Sequence, residues 1–180
     1  MLRVITAGDI DRVCVFTAQV FCSHEPMCKA LRAEVPDFVK QFRPLLAACC
    51  TSGLSFLLED EQSTSNDDIS IISISLAIPF EQYNALQWPD TPTFGPMSAI
   101  FEDLAHPLES HPGAVLSFVW ATHSRHMNKG YTKRVVQSTT QAAVQAGCSC
   151  LVTDATNIVS QHLLRHFGFQ PLMKVNSFNH

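Results

Sequence analysis

The period of the hydrophobic pattern changes several times along the chain, and each change marks an element. Residues 2–5 read as a short strand, and Thr6 with Asp9 makes a capping-box pattern ahead of a helix. Ile10, Val13, Cys14, Thr17, Val20 and Phe21 then recur at the spacing of one helix face, which His24-Glu25-Pro26 interrupts. A second helical piece follows. Between residues 36 and 50, Phe38, Phe42, Leu45 and Leu46 keep a helical period that Gly53 closes. Residues 54–59 read as a strand and 60–68 as a polar loop. Ile72, Ile74, Leu76 and Ile78 alternate with Ser73, Ser75 and Ala77, which predicts a half-buried strand. Residues 82–96 combine prolines with Tyr83, Trp88 and Phe94 and read as an irregular loop. A helix over 97–106 and a turn at His111-Pro112-Gly113 come next.

The last third has the clearest pattern. Residues 115–122 are apolar on both faces, as a central strand requires. A polar stretch, 123–129, leads through Gly130 into a helix lined by Val135, Val136, Thr139, Ala142, Ala143 and Ala146 and ended by Gly147. Residues 150–152 form a short strand, 157–167 a helix closed by Gly168, and 169–178 a final strand. This order of strands and helices predicts an α/β domain with a mixed sheet.

Composition narrows the picture. An apolar content of 46% over 180 residues fills one ordinary core, so residues 1–180 are read as a single domain. Only 16% of residues are charged and no basic cluster exceeds Lys133-Arg134, which argues against a nucleic-acid partner. The net charge of −4 favours cationic partners over anionic ones. Seven cysteines, an odd number that includes the adjacent Cys49 and Cys50, read as free thiols in a reducing, cytoplasmic compartment. The first residues lack the pattern of a signal peptide, and no apolar run reaches the length of a membrane span.

Two segments carry chemistry. The first is the strand–loop–helix unit from Ser117 to Thr132, with the polar loop His123-Ser124-Arg125-His126-Met127-Asn128-Lys129 before Gly130. Such a loop aims backbone N–H groups at one point, and the helix dipole adds to them, so a pyrophosphate fits there. Alone, one glycine in such a turn is usually only a turn. The second is Thr153-Asp154-Ala155-Thr156-Asn157-Ile158-Val159-Ser160-Gln161, running into Leu163-Leu164-Arg165-His166-Phe167-Gly168-Phe169.

Together the two segments resemble the Gcn5-related N-acetyltransferase superfamily over roughly residues 114–169. In that family a strand, an (Arg/Gln)-x-x-Gly-x-(Gly/Ala) loop and a helix bind coenzyme A. A second strand then ends in an Asn-containing turn and a Ser-bearing helix closing on Gly-Phe. The resemblance implies a mixed, mostly antiparallel sheet flanked by helices and splayed between its two central strands beside Trp120, Ala121 and Thr122. It also implies acetyl-CoA as cosubstrate, held by those residues together with Arg125, Met127, Asn128, Lys129, Gly130, Tyr131, Thr132, Asn157 and Ser160. Met127, Asn128 and Thr132 depart from the loop pattern while Gly130 keeps it. Main-chain N–H groups make the cradle, so such changes need not abolish it, and Arg125 can replace the missing charge. A β-branched side chain at Gly130 would crowd the approach of a phosphate.

Phe21-Cys22-Ser23-His24-Glu25-Pro26-Met27, after Asp9-Ile10-Asp11-Arg12-Val13, looks like the opening of insect-type arylalkylamine N-acetyltransferases. That likeness implies Glu25 as general base, with Thr156 and Ser160 at two assisting hydroxyl positions. The chemistry is consistent with those groups. A primary amine, with a pKa near 10 as in lysine, arrives protonated and must lose a proton before it attacks a thioester. Backbone N–H groups near Trp120–Thr122 can stabilise the oxyanion. No tyrosine follows the last helix, so Ser160 becomes the candidate to protonate the departing thiolate.

Plainer roles stand beside these. Glu25 can simply start a helix, Ser160 can bond backbone in a first turn, and Thr156 or Asn157 can be an N-cap. His162 and His166 read as a surface pair, and no metal site is expected. The sequence therefore points to an N-acetyltransferase acting on a small primary amine, arylalkylamine or polyamine-like, as a monomer or homodimer without membrane or nucleic acid. A non-catalytic acyl-CoA-binding module and a protein N-terminal or lysine acetyltransferase are the alternatives.

Overall fold

The computed structural model describes residues 1–60, 70–87, 89, 91–105, 108 and 110–174. Strand β1 (Leu2–Val4) leads through a 3-10 turn (Ala7–Asp9) into helices α1 (Ile10–His24), α2 (Pro26–Ala30) and α3 (Val35–Thr51). Strands β2 (Phe56–Glu59) and β3 (Ile71–Pro79), helices α4 (Phe80–Asn84) and α5 (Gly95–Ala105), and strand β4 (Ala114–Thr122) follow. A 3-10 turn (Ser124–His126), α6 (Tyr131–Gln145), β5 (Cys150–Val152) and α7 (Ile158–His166) come last among the described residues. The five strands make one sheet in the order β1-β2-β3-β4-β5, antiparallel except for the parallel β4–β5 pair. The mixed, mostly antiparallel α/β architecture is the expected one.

Three expectations need correction. The stretch 82–96 lies partly in helices, because α4 starts after Pro79 and α5 carries Pro96 in its first turn. Proline there breaks nothing, since the first-turn N–H has no intrahelical acceptor to lose. Trp88, read as part of that loop, and most of the polar loop 60–68 lie outside the described residues. Residues 169–174 form no strand: Phe169 turns onto Trp120, with ring centroids 6.0 Å apart, while Leu172 and Met173 stay exposed. The remainder of that expected strand lies outside the described residues.

The third correction is β3, which is buried on both faces from Ile71 to Ile78. Helices α1 and α3 cover Ile74, Leu76 and Ile78 with a core that includes Phe38, Phe42, Leu45 and Leu46. Helix α6 covers the serine face, because small hydroxyl residues let it approach and then pair among themselves. Thr139 Oγ1 donates to Ser75 Oγ (2.9 Å). Ser73 Oγ meets Thr122 Oγ1 at 2.7 Å, and Thr122 Oγ1 meets Thr132 Oγ1 at 2.8 Å. Ser55 Oγ donates to the Cys49 carbonyl (2.7 Å) and accepts from the Ala77 N–H (3.0 Å). Alternation of Ile and Ser therefore marks an apolar face and a dry polar face.

An ionic knot ties β1, β2 and α1 together. Arg3 donates both terminal nitrogens to Asp9 (2.8 and 2.7 Å) and its Nε to Glu59 (2.8 Å). Arg12 reaches the other Glu59 oxygen (2.6 Å), and the Thr6 N–H donates to Asp9 (2.9 Å), the expected reach back across the turn. The hydrogen bond from Arg3 is the largest of the influences that hold Asp9 well below the usual carboxylate range. Glu59 is also lowered, because its bonds to Arg3 and Arg12 outweigh the opposing effect of burial.

Two predictions follow from this packing. A carboxylate whose folded pKa is depressed contributes stability above its unfolded pKa and loses it as pH falls. The contribution of Asp9 and Glu59 should thus be complete above pH ~5 and be lost below pH ~4, and Asp9→Asn should cost about 2 kcal/mol at pH 7 and flatten that acid limb. Urea unfolding between pH 3 and 7 measures both. Thr139→Val alone should cost about 1–2 kcal/mol by stranding the Ser75 hydroxyl, whereas adding Ser75→Ala should recover about 1 kcal/mol. Additive losses in that double-mutant cycle would refute the pairing.

Candidate active site

The site begins with a β-bulge. Leu76 of β3 opposes Val119 and Ala77 opposes Ser117, so Phe118 of β4 has no counterpart. The extra residue bends the strand. Its ring is held by Phe101 of α5 (5.4 Å) and Phe42 of α3 (6.2 Å), which fixes the bend in place. Strand β5 pairs with β4 only at Ala114, Val115 and Leu116, immediately before the bulge. Beyond it β4 runs on to Thr122 against β3 alone, and among the described residues no strand covers its other edge. The sheet is splayed there, as expected beside Trp120, Ala121 and Thr122. An extended ligand with amide groups can pair with that edge as an added strand does.

The loop after β4 turns this edge into a cradle. Asn128 (φ +61°) and Gly130 (φ +76°) both adopt the left-handed conformation, and Gly130 is the N-cap of α6. Asn is the residue besides glycine that best tolerates that region, so the Asn at 128 keeps the turn. A Cβ built on Gly130 meets nothing within 4 Å, so the cradle is open above it. Any side chain there would also strain the backbone, so a bulky substitution tests more than ligand contact. Helical geometry leaves the N–H groups of Tyr131, Thr132 and Lys133 without intrahelical acceptors. Arg125, Met127 and Lys129 lie exposed around the opening, and the Thr132 hydroxyl is tied to Thr122. The residues present therefore fit a pyrophosphate-bearing ligand with a pantetheine-like arm. Burial first, then the charges of His126, Arg125 and His24, lower the pKa of His123.

Glu25 does two things at once. Its Oε2 accepts from the Cys28 N–H at 2.7 Å and so caps α2, the plainer role foreseen for it. Its Oε1 is buried with no hydrogen-bond partner. A buried carboxylate oxygen without a donor is costly and calls for a cation, a water or an N–H to complete it. The neighbouring Cys28 thiol is pushed up strongly by burial and then by this carboxylate, so it is not a thiolate.

At the start of α7 the capping role is filled by Asn157, whose side chain accepts from the Ser160 N–H (2.9 Å). The Ser160 hydroxyl donates to the Asn157 carbonyl (2.8 Å) and accepts from its N–H (3.3 Å). It is thus committed to the helix start. Thr156 is exposed. Trp120 packs its ring toward Phe167 (5.9 Å) and Phe169, which docks the end of α7 on the α6 side of the open edge.

Two groups at the fork escaped the sequence reading. On the side of α4 and α5, a small pocket is lined by Phe80, Tyr83, Phe101, Leu104, Leu116 and Asp154 among others. Burial raises the Asp154 carboxyl to about 6. Burial, then the charges of Asp154 and Glu102, raise the Tyr83 phenol to about 12. Asp154 follows β5 by two residues, a position where ligand groups gather in open sheets, and that placement was the available signal. Tyr83 was hidden by the prolines that made its helix read as loop. No group of three metal-ligating side chains occurs among the described residues.

No family model matches the sequence. The structure is similar to that of a polyamine N-acetyltransferase from Drosophila melanogaster that catalyses formation of N-acetylagmatine. The two share 14% identity over 94% of this chain and 82% of that one, with a TM-score of 0.71. It is also similar to arylalkylamine N-acetyltransferase 2 from Aedes aegypti (20% identity, 93% and 81% covered, TM-score 0.66). A third likeness is to the C-terminal condensation domain of Ebony, in complex with beta-alanyl-dopamine (14% identity, 96% and 83% covered, TM-score 0.74). The splayed strand pair, the glycine-entered helix behind it and these likenesses agree: the chain has the fold of the Gcn5-related N-acetyltransferases.

Proposed function

We propose that the chain is an acyl-CoA-dependent N-acyltransferase that moves an acetyl group from acetyl-CoA to a small primary amine. The observation that carries this reading is the open edge of β4 beyond Leu116, running directly into the left-handed loop and the start of α6. Acetyl-CoA supplies an activated thioester and a thiol leaving group. Trp120, Ala121 and Thr122 hold its pantetheine arm through their backbone. The N–H groups of Tyr131, Thr132 and Lys133 hold its pyrophosphate, with Arg125 and Lys129 contributing charge. The acceptor class rests on the relatives named above, whose substrates or bound compounds are amines or amides of amines.

Within this reading Glu25 Oε1 attracts the ammonium and takes its proton, directly or through water, before attack on the thioester carbon. Backbone N–H groups of β4 receive the developing oxyanion. The thiolate then needs a proton. Ser160 can deliver it only by leaving its bond to the Asn157 carbonyl, so Ser160 stands as a weaker donor than its position in the sequence implies. Asn157 and Thr156 contribute by fixing and flanking that helix start.

Binding and turnover are tested separately. Acetyl-CoA at 100 times its Kd should stabilise the folded protein by about 2.7 kcal/mol, a shift of several degrees in Tm, while an unrelated nucleotide should not. Binding with no release of coenzyme A against a panel of primary amines would favour the non-catalytic module. Release with acetyl appearing on a peptide, read by mass spectrometry, would favour a protein acceptor.

For Glu25 the informative change is Glu25→Gln, since the amide oxygen can still cap α2 while the base is lost. It should lower kcat/KM by about 10²–10⁴-fold, leave acetyl-CoA affinity unchanged and recover partly at high pH, where free amine is present. Parent-like turnover would reduce Glu25 to its capping role.

A further inference from the structure

Thr122 is the last residue of β4 and Thr132 the second of α6, so the two bracket the loop that forms the cradle. In the β3–β4 pair the His123 N–H donates to the Ile72 carbonyl (2.9 Å), and residues of an antiparallel pair face their partner strand alternately. Ala121 therefore turns its main chain toward Ile74, while Trp120 and Thr122 turn theirs to the open edge. The Ala121 carbonyl also accepts from Ser73 Oγ (3.1 Å), which puts it on the β3 side. Thr132, one residue inside α6, has an N–H with no intrahelical acceptor. Both threonines thus offer main chain to a ligand, while their hydroxyls meet each other at 2.8 Å. Counting protons gives that contact a direction. Ser73 spends its one hydroxyl proton on the Ala121 carbonyl, so Thr122 Oγ1 donates to Ser73 Oγ (2.7 Å). Thr122 then has only lone pairs left, and the proton between the two threonines comes from Thr132. The Thr132 hydroxyl keeps no proton for a phosphate and reaches sideways to the strand instead. The first turn of α6 needs such a tie. Its opening bond, from the Arg134 N–H to the Gly130 carbonyl, is long at 3.4 Å, and residues 127–130 before it are exposed. Glycine or alanine, the usual residues of the loop pattern at this position, have no hydroxyl for it.

We propose that the Thr132–Thr122 bond, carried on to Ser73, fixes the spacing between the open strand edge and the start of α6, which makes Thr122 and Thr132 positioning residues for acetyl-CoA. This role rests on the acyl-CoA reading above. A ligand with a pantetheine arm and a pyrophosphate engages both halves of the site at once, and its affinity depends on how well their separation is preset. When the bond is lost, the groups offered to the ligand stay the same and only their spacing loosens. Acetyl-CoA, which spans the two halves, feels that loss. A ligand of one half does not.

The test is a double-mutant cycle of Thr122→Val and Thr132→Val, near-isosteric changes that keep the main chain and the branching at Cβ. Calorimetry with acetyl-CoA should show about 3- to 10-fold weaker binding in each single variant and no further loss in the double. ADP, which carries a diphosphate without the pantetheine arm, should bind parent and variants alike in competition. Thr132→Ser keeps the hydroxyl and should bind acetyl-CoA as the parent does. Thr139→Val, which breaks a different hydroxyl bond of α6, should lower stability and leave acetyl-CoA affinity unchanged. Parent-like affinity in Thr122→Val overturns the proposal, because a Thr132 hydroxyl that bound phosphate directly would feel only its own replacement. Losses that add in the double variant, an equal loss for ADP, or an equal loss in Thr139→Val overturn it too. In each of these cases the parent binds acetyl-CoA and the acyl-CoA reading stands. A parent that binds no acetyl-CoA overturns both.

Discussion

Every backbone N–H and C=O in a sheet interior has to find a partner, and beyond Leu116 β4 has a partner strand on only one of its edges among the described residues. The rest of the structure is arranged around that open edge. Phe118 supplies the extra residue that bends the strand away from β5, and the rings of Phe42 and Phe101 hold the bend. The hydroxyl contacts from Thr139 to Ser75 and from Thr132 through Thr122 to Ser73 fasten α6 to the opposite face of the same strands. β4 is thereby held on one edge and both faces while its remaining edge stays available. A strand free to shift could close the gap by pairing elsewhere; this one is fixed by side chains that have no other place to go.

The sequence revealed the right-hand part of this arrangement better than the left. The residues from Ala114 to Phe169 have uniform periods and punctuating glycines, so β4, α6, β5 and α7 were found within a residue or two. Gly147 and Gly168, at φ +75° and +86°, end their helices as helix-terminating glycines do. The middle was harder because proline carries two opposite meanings, breaker in a helix interior and helper in a first turn, and pattern alone does not separate them. The serines of β3 were misjudged for a related reason: a hydroxyl facing water and a hydroxyl facing the threonine of a neighbouring helix look identical in one dimension.

The candidate site was recoverable in proportion to its dependence on local order. The cradle is one continuous segment, so the family resemblance could be carried onto it residue by residue. Glu25 was singled out by its Glu-Pro motif, and the structure adds that its two oxygens differ, one spent on Cys28 and one left over. Ser160 and Asn157 each carried two readings, site residue and helix-start residue, and the observed hydrogen bonds are those of a helix cap. Asp154 and Tyr83 are brought together by β5 and α4, elements separated by most of the chain's second half, and no local pattern connects them.

The two walls of the fork are built from different materials, and this has a consequence for how such a chain changes over time. On the α6 side the groups offered to a ligand are peptide N–H and C=O groups, which every residue except proline supplies in the same form. Mutation can replace Met127, Asn128 or Thr132 and leave that wall's chemistry nearly constant, provided the left-handed turns at residues 128 and 130 survive. On the α4–α5 side the surface is made of side chains alone, so almost any substitution alters its shape or charge. Drift therefore acts unequally across the cleft: one wall is inherited through the path of the backbone, and the other can be rewritten one residue at a time.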